Sequence, residues 1–128
     1  MKLIHSAIRT TDLNKSINFY VNVFGFTIRE KRYIEAHKTT LVFLKDISTN
    51  FEIELIADDN PKPFAECENS FAHLAFQTDN IDEDAKKIKE AGIVFLREPF
   101  YSMDKTMKIA FLKDPNGIMI EIIEYLKK

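Results

Sequence analysis

Cysteine is almost absent from this chain of 128 residues: Cys67 stands alone. No disulfide can form within the chain, and that composition suits a reducing compartment, so a cytoplasmic protein is expected. No apolar run approaches the ~18 residues that a membrane helix needs, and no apolar stretch follows the opening Met1-Lys2-Leu3-Ile4-His5 as a secretion signal would require. A soluble, unprocessed protein is the expectation. Charge of one sign is also scarce, with 18 Lys and Arg against 20 Asp and Glu for a net −2. Without blocks of like charge there is no electrostatic footprint for nucleic acid. Apolar residues are plentiful at 45%, eleven of them Phe. That supply excludes disorder and a disulfide-dependent miniprotein, and leaves one compact domain or two small halves sharing a core.

The chain repeats itself. Phe43-Leu44-Lys45-Asp46 recurs as Phe111-Leu112-Lys113-Asp114, and His5 recurs as His73, both at an offset of about 68 residues. Arg29-Glu30 returns as Arg97-Glu98, while Gly25 and Glu54 map to Gly92 and Glu121 with a slip of one residue. The halves are therefore residues 1–57 and 71–128, joined by a polar connector, 58–70, that carries Pro61 and Pro63.

Each half reads as βαβββ. Residues 3–9 and 71–77 alternate as half-buried strands, with His5, Ala7 and Arg9 sharing one face and His73 in the place of His5. Asp12 is placed to cap a helix that buries Phe19 and Tyr20 and stops at Gly25; Asp79 or Asn80 starts its counterpart, with Ala85 and Ile88 inward and Gly92 at the end. Strands are expected over 26–33, 41–44 and 51–57, then over 94–97, 107–112 and 118–125, with Asp114-Pro115-Asn116-Gly117 as a hairpin turn. The fold class is α+β. One helix covers only one face of a four-stranded sheet, so the chemistry belongs on the other.

On that other face lie Glu54, alternating with Ile53 and Leu55, and Glu121, which interrupts the apolar run from Ile118 to Ile123. A carboxylate in such surroundings needs a partner, and the strand-borne His5 and His73 are the natural ones. A single strand histidine or glutamate is usually structural. The repeated pairing changes the balance, because duplication explains retained glycines but gives no structural reason to retain His and Glu on an inner face. Two His and two Glu make a metal site. His37, in a polar stretch, and Cys67, with no histidine at motif spacing, are read as uninvolved.

These residues resemble glyoxalase I of the vicinal oxygen chelate superfamily (glyoxalase/bleomycin-resistance-like domains). The likeness runs from His5 to Glu124 through Phe19-Tyr20, Phe24-Gly25-Phe26, Ile53-Glu54-Leu55, Ala72-His73-Leu74-Ala75 and Asp114-Pro115-Asn116-Gly117 to Glu121. The resemblance implies a metal held by His5, Glu54, His73 and Glu121, in a homodimer whose sites draw ligands from both subunits. It implies a lyase that converts the hemithioacetal of methylglyoxal and a thiol into a lactoyl thioester. The substrate offers vicinal oxygens to the ion, Glu121 moves the proton with Glu54 as second candidate, and Arg9 holds a substrate carboxylate in preference to serving a salt bridge. The short chain resembles the Ni²⁺- or Co²⁺-activated branch more than the Zn²⁺ branch. Two features depart from users of glutathione: Asp58, followed by Asp59, stands where Asn is usual, and the 100–106 loop lacks a glycine-rich, lysine-bearing pattern, leaving Lys62 or Lys105 to compensate. The thiol is left open. Alternatives on the same fold are an extradiol dioxygenase, which uses one carboxylate fewer, an acyl-thioester epimerase, and a metal-free module that sequesters a small molecule.

Overall fold

The period-two segments of the first repeat form four strands in the computed structural model, which describes residues 2–63 and 71–127. They are β1 (His5–Arg9), β2 (Thr27–Ile34), β3 (Thr39–Lys45) and β4 (Glu52–Asp58). The second repeat gives β5 (His73–Gln77), β6 (Arg97–Tyr101), β7 (Met107–Lys113) and β8 (Met119–Tyr125). Sheet order is β1-β4-β3-β2 in one half and β5-β8-β7-β6 in the other. In each sheet the first strand pairs parallel to the last and the remaining pairs are antiparallel. The α+β reading of two βαβββ modules holds. The chain divides into two compact units, Met1–Ala65 and Glu66–Lys128. Cys67 and residues 64–70 of the connector lie outside the described residues. No helix among the described residues is long and apolar enough to cross a membrane.

The helices α1 (Leu13–Asn18) and α2 (Ile81–Glu90) begin where short polar side chains meet free amides. Asp12 accepts from the Lys15 amide, and Asn80, rather than Asp79, accepts from the Glu83 amide, each at 3.1 Å. Between Asn18 and Gly25 the first helix departs from the expected pattern, because Phe19–Val23 forms a π-helical turn. There the rings of Phe19, Tyr20, Phe24 and Phe26 meet at centroid distances of 5.1 to 6.5 Å. The wider turn lets the consecutive residues Phe19 and Tyr20 both be buried. Gly25 and Gly92 follow with φ of 74° and 84°, a region where a side chain would be strained.

One strand is misplaced by the sequence pattern. The apolar Val94 and Leu96 suggested a strand over 94–97, but they are 85% and 56% exposed, and β6 starts at Arg97. Its pairing to β7 shifts register between Arg97 and Phe100, where Pro99 has no amide to donate. As the outer strand of its sheet, β6 tolerates that irregularity.

The core follows the alternation. Val42, Leu44, Ile53 and Leu55 are buried in the first unit, and Ala110, Leu112, Ile120 and Ile122 in the second. Because successive side chains on a strand face opposite ways, burying Ile53 and Leu55 turns Glu54 to the other face, and burying Ile120 and Ile122 does the same for Glu121. The one-residue slip at Glu54 falls in a hairpin. The turn between Lys45 and Glu52 is one residue longer than that between Lys113 and Met119, so Phe43 stays opposite Glu54 just as Phe111 stays opposite Glu121.

Candidate active site

Parallel pairing places each histidine diagonally from its glutamate. Ala7 is opposite Glu54 and Ala75 opposite Glu121, while His5 and His73 lie two residues earlier on the same faces. The small alanines leave room for the diagonal contact. His5 Nε2 lies 3.1 Å from Glu54 Oε2, and His73 Nε2 lies 3.1 Å from Glu121 Oε2. The glutamates are nearly equally shielded, at 15% and 16% exposure, while the histidines reach further into the open.

The surroundings of the two pairs differ. His5 is edge-on to Phe43 at 6.2 Å, and the Arg29 guanidinium lies 4.9 Å from the centre of that ring. Arg29 also clamps Glu52, donating from Nε to one carboxylate oxygen and from Nη2 to the other at 2.9 Å. That bidentate bond holds the Glu52 carboxyl below its ordinary pKa and pushes the Arg29 guanidinium up. Arg29 and Glu52 were not identified from the sequence as neighbours of the site. The recurrence of Arg29-Glu30 as Arg97-Glu98 was the signal for Arg29, and the alternation that puts Glu52 on the Glu54 face of its strand was the signal for Glu52.

Arg9, the expected anchor for a substrate carboxylate, forms a salt bridge, the other role weighed for it, and the two roles are compatible. Its Nη1 meets Asp58 Oδ2 at 3.1 Å, with the arginine side chain 74% exposed. The Thr39 hydroxyl donates to the other Asp58 oxygen at 2.6 Å. These groups line a cleft of about 590 Å³ that also includes Ile34, Lys38, Ile56 and Asp59. Sequence reasoning had no means of finding the cleft as a whole, since its members come from all four strands of the first sheet, the β2–β3 connection and the residues just after β4. His37 is exposed, as expected, and Lys105 sits in a loop with φ of 57°.

The donor pairs can be tested against a metal. Two ligands bound at right angles with bonds of about 2.1 Å lie about 3.0 Å apart, so a His nitrogen and a Glu oxygen at 3.1 Å are already spaced for adjacent positions on one ion. Imidazole and carboxylate together suit a borderline divalent cation. Each pair supplies two ligands only, and no group of three or more His, Cys, Asp or Glu side chains suited to an ion occurs among the described residues. The structure brings together His5 with Glu54 in the first unit and His73 with Glu121 in the second.

A sequence profile described as the Glyoxalase/Bleomycin resistance protein/Dioxygenase superfamily matches residues 2–122. The chain belongs to this superfamily. Within it, the chain is 38% identical over 125 residues to a probable lactoylglutathione lyase of Vibrio cholerae, covering 96% of this chain and 90% of that one. A probable lactoylglutathione lyase of Synechocystis is 34% identical over 131 residues, covering 100% and 98%. Crystalline glyoxalase I from Zea mays superposes with a TM-score of 0.83 at 30% identity, covering 98% of this chain and 47% of that one. The chain thus spans about half the length of the maize protein. With these relatives, the glyoxalase I resemblance stands, and this superfamily member is an enzyme of the lyase class.

Proposed function

We propose that the protein isomerises the hemithioacetal of methylglyoxal and a thiol to a lactoyl thioester, using one divalent ion per site. The observation that carries this reading is the pair of equal His–Glu contacts, set at corresponding positions of two sheets in a chain related to lactoylglutathione lyases. Two half-sets of ligands call for a second half-set each. We infer a homodimer in which His5 and Glu54 face His73 and Glu121 of the partner subunit, giving the two-imidazole, two-carboxylate set that suits Ni²⁺ or Co²⁺, with Zn²⁺ as the alternative.

When bound, the ion supplies Lewis-acid polarisation of the substrate carbonyl, which acidifies the adjacent C–H. The chain's own part is to place the substrate and move one proton. Glu121 takes the proton from the carbon that bears sulfur and returns it to the neighbouring carbon, so the reaction is a net isomerisation with no external oxidant. Ligation would lower a carboxylate's basicity, whereas an effective base needs a pKa nearer the working pH, so Glu121 would serve best as base with its carboxylate free of the ion. Glu54, equally shielded, is the second candidate for that base. Arg9 and the cleft beside it receive the remote part of the thiol.

The test is reconstitution. Chelator-stripped protein is loaded with Ni²⁺, Co²⁺ or Zn²⁺ and assayed for thioester absorbance with methylglyoxal and a panel of thiols. Thioester formation restored by metal is the expected result. Stoichiometric metal binding with no thioester from any thiol would sink the reading and favour an epimerase or another lyase.

A further inference from the structure

The proposed ligand set takes one glutamate from β4, yet that strand turns a second one to the same face. Glu52 lies two residues before Glu54, about 6.6 Å along the strand at about 3.3 Å per residue, and directly opposite His5 on β1. Both first-unit donors are therefore its neighbours. At 14% exposure it is as shielded as Glu54 at 15%. An imidazole beside two carboxylates is a set that a divalent ion would take whole. Even so, no three such groups gather for an ion among the described residues.

Arg29 is what engages Glu52 instead. The pairing of β2 with β3 passes from Ile28 opposite Leu44 to Glu30 opposite Phe43, so Arg29 is the extra residue of a bulge. A bulge re-aims a side chain, and here the guanidinium lies over the ring of Phe43, the residue opposite Glu54. From there it bonds both oxygens of Glu52, while Nη1 donates to Glu30 at 3.2 Å. The second unit supplies the contrast. Met119 stands opposite His73, so there is no spare carboxylate, and the repeated Arg97 lies over the Phe100 ring. Taking one partner from a shielded ion pair leaves an uncompensated charge. Freed of Arg29, Glu52 would find its strongest cation in an ion at His5 and Glu54. A further protein oxygen there would compete with the vicinal oxygens of the substrate.

We propose that Arg29 is a positioning residue that holds Glu52 away from the divalent ion, so that the first unit contributes His5 and Glu54 alone. This rests on the metal-dependent reading of the site, and it adds what keeps the ligand set from growing.

The experiment is Co²⁺ titration of the chelator-stripped full chain, by competition with a coloured chelator, with the visible spectrum of each loaded protein. The unaltered protein is compared with Arg29→Gln, Glu52→Gln, the double variant and Arg97→Gln. R29Q is expected to bind Co²⁺ about tenfold more tightly or better, and to change the spectrum as Glu52 joins the ion. With Gln at position 52 the same substitution should tighten binding by about threefold or less, the part due to a lost positive charge, and leave the spectrum alone. R97Q removes the same charge from the second unit and should also stay within about threefold. A tenfold gain that persists with Gln at 52, or that R97Q matches, overturns the proposal. So does unchanged or weaker binding in a folded R29Q protein. E52Q by itself covers a folding defect in R29Q: with Arg29 in place its spectrum should match that of the unaltered protein, and a shifted spectrum overturns the proposal. Turnover separates the two readings. Normal Co²⁺ binding and thioester formation with no tightening in R29Q sink the role of Arg29 and leave the isomerase intact. Tightening through Glu52 without thioester formation in any loaded protein sinks the isomerase and leaves the role of Arg29.

Discussion

The two units share a fold, a His–Glu distance and a phenylalanine opposite the glutamate, yet they surround these groups differently. In the first unit Glu52 lies opposite His5 and is clamped by Arg29, and Arg32 reaches to within 5.8 Å of the Phe43 ring centre. In the second, Met119 is opposite His73, Phe100 stacks on Phe111, and Arg97 covers Phe100 at 3.4 Å. Where the first unit has Arg9 paired with Asp58, the second has Gln77 and Tyr125 at the corresponding positions. Strand register alone sets the histidine against the glutamate in both. The surroundings differ in what the repeated arginine meets: Arg29 holds the Glu52 carboxylate, whereas Arg97 lies over an aromatic ring and Met119 stands in the place of Glu52. The lesson is that equivalent His–Glu pairs sit in unequal neighbourhoods, and the proposed mechanism turns that difference into unequal roles for Glu54 and Glu121.

That inequality is most sharply tested at the carboxylates themselves. Replacing Glu121 by Gln keeps an oxygen donor but removes the base, so kcat should fall by about 10² to 10⁴ while metal content, read by elemental analysis, is largely retained. Glu54→Gln should lose more metal affinity and less kcat at saturating metal. Equal kcat losses in the two variants would make the units functionally interchangeable and remove the asymmetry argued above.

The cores should behave alike where the sites do not. Leu44 and Leu112 are repeat equivalents, both fully buried, and lie opposite Ile53 and Ile120. Truncation of either to Ala is expected to cost about 2–5 kcal/mol in urea unfolding, through lost transfer energy and the cavity left behind. A large loss at one position with little at the other would show that the repeat does not extend to packing. Gly25→Ala and Gly92→Ala should each cost about 1–2 kcal/mol in the same assay. The penalty comes from the positive φ alone, because a Cβ at either position meets no atom within 4 Å. A neutral result would mean that the turn relaxes to another conformation.

How far the sequence could be read follows from the kind of interaction involved. Strand faces and the His5–Glu54 and His73–Glu121 pairs were legible because period-two alternation is local and the repeat supplies a second copy of each. The limits of β6 were not, since Val94 and Leu96 are as apolar as any strand residue and only pairing across to β7 decides the matter. The π-helical turn at Phe19–Val23 escaped for a related reason, as ordinary helical spacing already placed its aromatics plausibly. The face of Arg9 was legible, but the identity of its partner Asp58 was not, since that contact joins residues 49 positions apart. Charge partners across strands leave no periodic trace.

The gentlest test of the asymmetry concerns Tyr33 and its repeat equivalent Tyr101. Both sit on the second strand of their sheet, but the Tyr33 hydroxyl donates to Asp59, whereas Lys108 lies 5.1 Å from the Tyr101 ring centre. The bond to a carboxylate, with burial adding to it, pushes the Tyr33 phenol up to about 12 from an ordinary 10.0. The folded chain then holds this proton more tightly than the unfolded chain does. Whatever stability the bond contributes is fully present below pH 10 and is lost as the pH rises through about 12. Ultraviolet titration of the phenols should therefore show a late component that vanishes in Tyr33→Phe and moves back toward the ordinary value in Asp59→Asn. The same late component persisting in Tyr33→Phe would assign it to another tyrosine. The bond from Tyr33 to Asp59 would then not distinguish the first unit from the second.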